Sequence, residues 1–328
     1  FLFALAIYLE LWYTHRTIKG RNVSKQEIKQ NNIRWIDLTA PTSEEIQELD
    51  REFDFHPLDL QELTTPTHRS RLDQYADHLF MVMIYPTLDV QKREFSPIEL
   101  QVFFGEHYLV TIHNGGLDVF NQIVHLARQN TRMRSRLFVA PEHLLYEILS
   151  RLQDTNFPII EQINNEIDHV EKNIFIGKEK AMVREISIIR RNITDLRKIL
   201  KSHQKVFEKI IAAGKNPQEM YIKERDYFNN LFDHSKEIWE MLENAKEQIE
   251  VLHETNSSLI SFRINDIMSM LTAISVILLP MGIFSQLFGI NAQNIPFVGS
   301  ELDFWIIVGL TVTMGFLMFL FMKLKRFL

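Results

Sequence analysis

Short apolar runs of strand character punctuate the first 140 residues. Ile33–Leu38 (IRWIDL) predicts a strand. The turn-like Ala40-Pro-Thr-Ser43 then leads into an amphipathic stretch, Glu44–Phe53, where Ser43 with Gln47 and the acidic pair Glu44-Glu45 suit a helix start. His78–Leu88 is a further β-rich run. Ile98–Phe104 and His107–His113 are separated only by Gly105-Glu106, which predicts a hairpin, and His113-Asn-Gly-Gly116 closes the unit with a turn. Phe1–Tyr13 is also apolar. With Glu10 inside it and no basic leader or small-residue cleavage site, it reads as a strand or core helix of a soluble domain rather than a signal peptide. The expectation for residues 1–140 is an α/β domain with an antiparallel-rich sheet.

Beyond Pro141 the strand signals stop. Glu142–Ile174, Glu179–Ala213 and a segment from about Glu219 all carry helical patterning, with breaks at Ile176-Gly177 and Gly214-Lys-Asn-Pro217. This divides the helical part into a hairpin over 141–218 and a stalk helix over 219–266. No Pro or Gly interrupts the last segment before Pro280, so a continuous helix to Gly289 would be roughly 105 Å long. Its first half shows a heptad: Phe228, Leu231, Ser235, Ile238, Leu242, Ala245, Ile249, Leu252, Asn256 and Leu259 recur in steps of three and four, with charged residues outside. The pattern suits a bundle within one chain and a coiled stalk between chains equally well.

Ile267–Ser300 and Phe304–Met322 contain no Asp, Glu, Lys or Arg, and about 20 apolar residues span a bilayer core. Two crossings follow, over 267–290 and 304–322, joined by a loop over 291–303 and followed by a basic tail over 323–328. At 100° per residue, Asn265, Met268, Leu271, Thr272, Ser275, Leu279, Gly282 and Gln286 share one stripe of the first crossing. Ile267, Met270, Ile274, Ile277, Leu278, Met281 and Phe284 occupy the opposite, lipid-compatible side. Such a stripe marks either close helix packing or the wall of a water-filled path, and a path requires several copies of the chain. Lys323, Lys325 and Arg326 after the second crossing, against Glu301 and Asp303 in the loop, put the tail and the large N-terminal body on the cytoplasmic side of a plasma membrane (a bacterial or archaeal inner membrane).

Composition excludes several classes of chemistry. The 36 basic and 42 acidic residues leave a net charge of −6, which argues against nucleic-acid binding. With no cysteine, disulfides, thiolate metal sites and thiol catalysis are absent. No phosphate-loop, dinucleotide, zinc-protease or nucleophile-elbow motif occurs, so an enzyme is not expected, nor is a resident cofactor. His15, His107 and His113 lie in or beside strand-like segments, and nothing groups them into a metal site.

Phe288-Gly-Ile-Asn291, placed after a long helix and before a short loop and a second crossing, resembles the CorA family of divalent-cation channels, whose signature is an aromatic followed by Gly-Met-Asn. Leu279-Pro-Met-Gly-Ile283, Asn265-Asp266 and the basic C-terminus match as well. So do Phe55-His-Pro-Leu-Asp-Leu60 and Tyr75-Ala-Asp-His-Leu-Phe80. The resemblance implies a homopentameric funnel: an α/β cytoplasmic domain, long stalk helices, and a C-terminal two-helix transmembrane hairpin whose first helices line a pore. It implies a selectivity mouth at Gly289, Ile290 and Asn291, where amide oxygens meet the water shell of hydrated Mg²⁺. Glu301 and Asp303 would then attract cations, and Leu279, Leu271 and Met268 would gate by dewetting, with Asn265 at the inner end. Mg²⁺, with Co²⁺ or Ni²⁺, is the expected substrate and regulator. Two departures stand out. Ile290 replaces the usual Met, and Asn294-Ile-Pro296 resembles the loop of the ZntB branch, which opens a zinc transporter, with or without proton coupling, as the alternative. Asn230 stands where a regulatory acid is usual, leaving Asp226 and Asp233 as candidates. A membrane-anchored scaffold that transports nothing is a third reading.

Overall fold

The computed structural model describes residues 25–63, 69–213, 225–289 and 302–324. The reading of Phe1–Tyr13 and the beginning of the long helix near Glu219 lie outside these residues. By its contacts the chain divides into two units. One holds the strands, with its first segment ending at Glu171 and its second covering Arg184–Glu250; the other comprises Lys172–Val183 and the residues from Val251 onward. The division cuts across the linear segments expected from the sequence, because helices fold back along one another.

The first unit is built on a mixed six-stranded sheet of order β1-β2-β6-β5-β4-β3. The strands are β1 (Lys25–Gln30), β2 (Ile33–Thr39), β3 (Arg71–Gln74), β4 (His78–Asp89), β5 (Glu94–Gly105) and β6 (Tyr108–His113). Only β2 and β6 pair in parallel, with Asp37 opposite Thr111 and Thr39 opposite His113. The expected β5–β6 hairpin forms, and its bend falls at Glu106-His107 rather than Gly105-Glu106. β1 leaves no period-two signal, since Ile28 is its one apolar residue. What makes it a strand is the turn that follows: Asn31 and Asn32 both take positive φ (50° and 63°), the geometry of a two-residue hairpin turn that Asn tolerates well.

Both sheet faces are buried, so the strands read as apolar runs instead of clean alternation. One face carries Ile36, Leu38, Phe80, Val82, Phe103, Val110 and Ile112, with Leu49 and Phe55 packed on them. Leu49 belongs to α1 (Ser43–Phe53), whose cap is Thr42 rather than Ser43. The Thr42 hydroxyl accepts from the Glu45 amide, and the Glu45 side chain accepts from the Thr42 amide in return. A short helix, α2 (Pro57–Glu62), follows. The Phe55–Leu60 and Tyr75–Phe80 segments turn out to be one packed cluster. Phe55 stacks on Phe103 at 3.9 Å, Tyr75 stacks on His78 at 4.6 Å, and the buried Asp59 carboxylate takes hydrogen bonds from Arg71 and Tyr75.

The opposite face carries Ile33, Trp35, Leu79, Met81, Met83, Leu100, Val102, Phe104 and Leu109 under a layer of helices. Two of these, α3 (Asp118–Gln129) and α4 (Thr131–Leu137), were not read from the sequence. Asn130 separates them by accepting from the Met133 amide, which starts α4 afresh. The expected single helix 142–174 is two, α5 (Pro141–Asp154) and α6 (Asn156–Ile174). Pro158 explains the break, for it has no N–H to give the Asp154 carbonyl. Leu144, Leu145, Ile148, Leu149 and Leu152 of α5 lie in the same core as the sheet.

Two long helices complete the chain: α7 (Glu179–Ala213) and α8 (Arg225–Phe288), the second about 96 Å long and continuous through Pro280. Within the first unit they run antiparallel. Gln204 donates to the Ser235 carbonyl, Arg197 pairs with Glu243 and covers the Trp239 ring, and Arg190 pairs with Glu250 at 3.1 Å. The heptad positions Phe228, Leu231, Ser235, Ile238, Leu242, Ala245 and Ile249 are all buried inside one chain. Of the two readings of the heptad, the intrachain bundle is therefore the one the structure adopts.

Candidate functional site

In the second unit, the C-terminal part of α8 lies against α9 (Asp303–Leu324), and both helices are long and apolar enough to cross a membrane. Ala273 is 1% exposed, Ile277, Met281 and Phe284 are half-buried, and Gly315 of α9 packs directly on Met281. Measured from Asn265, these four positions of α8 lie at about 80°, 120°, 160° and 100° around the helix. Part of the expected lipid face is thus covered by α9, leaving Ile267, Met270, Ile274 and Leu278 bare.

The stripe that mixes polar and apolar residues lies at about 240–360°, outside the arc that packs on Gly315 of α9, and one edge of it borders that helix at Met318. Asn265, Met268, Leu271, Thr272, Ser275, Leu279 and Gln286 are all exposed, and Gly282 is half-buried with open space where a Cβ would stand. Leu271, Thr272, Ser275 and Leu279, together with Val276, Pro280 and Met318, line an open cleft of about 430 Å³. Val276 and Met318 were not anticipated. Met318 is contributed by α9, which no periodicity within α8 can reveal. Pro280 cannot donate to the Val276 carbonyl, so one backbone oxygen is released at this level. The Thr272 and Ser275 hydroxyls donate to the Met268 and Leu271 carbonyls at 2.7 and 2.9 Å. Their protons are used within the helix while an oxygen lone pair stays free to meet water or an ion.

The ends of the two helices that face the loop between them are described in part. Gly289 terminates α8 with its amide on the Gln286 carbonyl. Ile290, Asn291 and Glu301 lie outside the described residues. Asp303 opens α9, where a carboxylate complements the helix dipole. Phe304 and Trp305 are exposed beside it, with Lys323 at the far end, the flanks expected of a membrane crossing.

The candidate regulatory residues sit on the part of α8 that belongs to the first unit. Asp226 and Asp233 are exposed, and Asp233 has Lys236 at 3.7 Å. Seven residues apart, they are separated by about 10 Å of helix rise and cannot share an ion within one chain. Asn230 accepts a hydrogen bond from Tyr146 at 3.3 Å. Among the described residues no three His, Asp or Glu converge as a metal site.

Comparison with known proteins adds the family. The cobalt/magnesium transport protein CorA of Thermotoga maritima is 22% identical over 295 residues, covering 90% of this chain and 83% of that protein. Among solved structures, the complete CorA magnesium transporter of Methanocaldococcus jannaschii superimposes with a TM-score of 0.78 at 19% identity, over 91% of this chain and 93% of that one. The full-length CmaX protein gives 0.70 at 20% identity, over 94% and 92%. At these identities the structures speak for the fold: an N-terminal α/β domain, a long helix and two apolar C-terminal helices. The family description "CorA-like Mg2+ transporter protein" matches residues 30–326, and the chain belongs to that family.

Proposed function

We propose that this chain, from a family of ion transporters rather than enzymes, assembles as a homopentamer. In it, five copies of α8 surround a path for hydrated divalent cations. The observation that carries the reading is the stripe from Asn265 to Gln286, left exposed outside the arc of α8 that packs on α9. A scaffold whose two crossings merely pack needs no such face. Five stripes facing one axis would present a hydroxyl or amide at Asn265, Thr272, Ser275 and Gln286, alternating with apolar rings at Met268, Leu271 and Leu279. Oxygen lone pairs support a hydrated ion, and apolar rings close by dewetting when they narrow.

At the outer mouth, Asn291 supplies five neutral carbonyl oxygens. Mg²⁺ gives up its water reluctantly, so amides that hydrogen-bond its hydration shell select it without trapping it. Glu301 and Asp303 raise the local cation concentration by long-range attraction. Mg²⁺ is the proposed substrate, with Co²⁺ and Ni²⁺ accompanying it. A second reading, a zinc transporter with proton coupling, is favoured by Ile290 in place of the usual Met. Asp226 and Asp233, apart within one chain, are proposed to hold a regulatory cation only where carboxylates of a neighbouring subunit complete the site. The α/β body and basic tail face the cytoplasm of a prokaryotic cell, consistent with Lys323 at the inner end of α9.

The test is ion uptake into liposomes with Mg²⁺, Co²⁺ and Zn²⁺ compared at two pH gradients, on a preparation whose mass is measured in mild detergent. The expected result is a pentamer with Mg²⁺ uptake indifferent to the proton gradient, abolished in Asn291→Ala without loss of assembly. A monomer or dimer overturns the pore. Zinc uptake that follows the proton gradient overturns the choice of ion.

A further inference from the structure

The turn between α6 and α7 leaves Phe175 and Ile176 exposed at 64% and 66%, two large apolar side chains at the very tip of a helical hairpin. Loose structure does not account for this exposure. Gly177, at φ +88°, closes α6, and the Lys178 amide returns to the Asn173 carbonyl, a tight left-handed cap. The turn is also clamped to α8 from within its own unit. Arg263 donates to the Gly177 carbonyl at 3.4 Å and to the Glu179 carboxylate at 2.9 Å, while Asn256 donates to the Glu179 carbonyl at 3.2 Å. Arg263 precedes Ile267, where the uncharged stretch begins, by four residues, or about 6 Å of helix. The clamp therefore holds the tip within about one helical turn of the bilayer boundary.

Charge points the same way. Glu179 is the one acid in Lys172–Val183 and is neutralised by Arg263, whereas Lys172, Lys178 and Lys180 are exposed around the two apolar residues. Exposed aromatic and aliphatic side chains ringed by lysines match the boundary between acyl chains and anionic headgroups. We propose that Phe175 and Ile176 insert into the interface of the same bilayer that α8 crosses, on the side of the basic tail, with Lys172, Lys178 and Lys180 on anionic lipid headgroups. This rests on the membrane reading of α8 and α9, and adds a second attachment of the chain to lipid through the α6–α7 hairpin.

The absence of cysteine makes a direct test available. The full-length Ile176→Cys variant carries one environment-sensitive fluorophore and is reconstituted in liposomes containing an anionic phospholipid. Quenching by lipids brominated near the headgroup is compared with quenching by aqueous iodide. Val90→Cys, on an exposed turn of the first unit, serves as the water reference, and Leu310→Cys in α9 as the lipid reference. The label at 176 should be quenched by the brominated lipid and shielded from iodide, the reverse of the label at 90. Replacing Lys172, Lys178 and Lys180 by Gln, or omitting anionic lipid, should lower the ratio of seated to free tip by about fivefold per lysine. Iodide quenching equal to that at 90 overturns the proposal. So does protection from both quenchers, which would mean that a neighbouring subunit covers the tip. If the label at 310 also escapes brominated lipid, the membrane reading falls and the tip proposal falls with it.

Discussion

Gly315 of α9 lies so close to Met281 of α8 that a Cβ added to it would stand 2.5 Å from the Met281 sulfur. This contact sets which side of α8 faces its own chain, and hence which side is left exposed. A large residue at 315 must push the helices apart. Gly315→Leu is expected to lower the thermal midpoint of the detergent-solubilised protein and to reduce ion uptake. Trimming the obstacle in Gly315→Leu with Met281→Ala should restore both, because the clash is with a side chain and not with backbone. Failure of the double variant to recover would show that Gly315 matters for some reason other than room.

Leu279 is 62% exposed, one position before Pro280, and lines the cleft together with Ser275 and Val276. If it forms a dry ring in the closed assembly, Leu279→Asn should hydrate that level. Lowering a barrier by about 1.4 kcal/mol raises passage about tenfold, so the expected outcome is a leak of that order in Mg²⁺-loaded liposomes. An assembled variant with unchanged leak would remove dewetting at Leu279 from the mechanism.

His203 sits fully buried in the first unit, with Nε2 donating to the Ile84 carbonyl at 2.6 Å and Nδ1 facing the Gln153 amide at 3.1 Å. Burial pushes its pKa down to about 4, against the smaller opposing pull of the Ile84 carbonyl. The unfolded chain takes up a proton near pH 6.5 while the folded chain does not. Stability is therefore full above that pH and lost as pH falls from about 6.5 toward 4, at up to about 1.4 kcal/mol per pH unit. The fall in thermal midpoint between pH 7 and pH 5 should be smaller in His203→Gln than in the parent. Parallel pH profiles would show that His203 does not control it.

Thr111 joins two other buried polar groups through one hydroxyl, accepting from Trp35 Nε1 at 3.0 Å and donating to Asp37 at 2.6 Å. Thr111→Val keeps the shape and strands both partners, an expected loss of about 2 kcal/mol. Denaturant unfolding followed by tryptophan fluorescence measures it, with Trp35 itself reporting on the site. A neutral result would mean that Asp37 is adequately held by His113, whose Nε2 lies 3.5 Å away.

Much of this protein was legible in one dimension, wherever a local pattern meets a uniform environment. The Ile33–Leu38 strand, the β5–β6 hairpin, the limits of α7 and the two apolar C-terminal helices follow from periodicity and turn residues, because a polar surrounding on one side and an apolar one on the other force a repeat. The same logic found the stripe from Asn265 to Gln286, and the tripeptide Gly289-Ile-Asn291 carried the family. Tertiary structure decided what depends on a partner distant in the chain. β1 is a strand through its pairing with β2, although only Ile28 is apolar; α3 and α4 cover a sheet face whose extent no window of residues contains. The heptad of α8 is shared by a bundle and a coiled stalk, and only the packing of α7 against it resolved the two. Likewise, the stripe on α8 became a candidate path once Gly315 had closed onto Met281, since a helix alone has no inside, and the place of its neighbour is what gives it one.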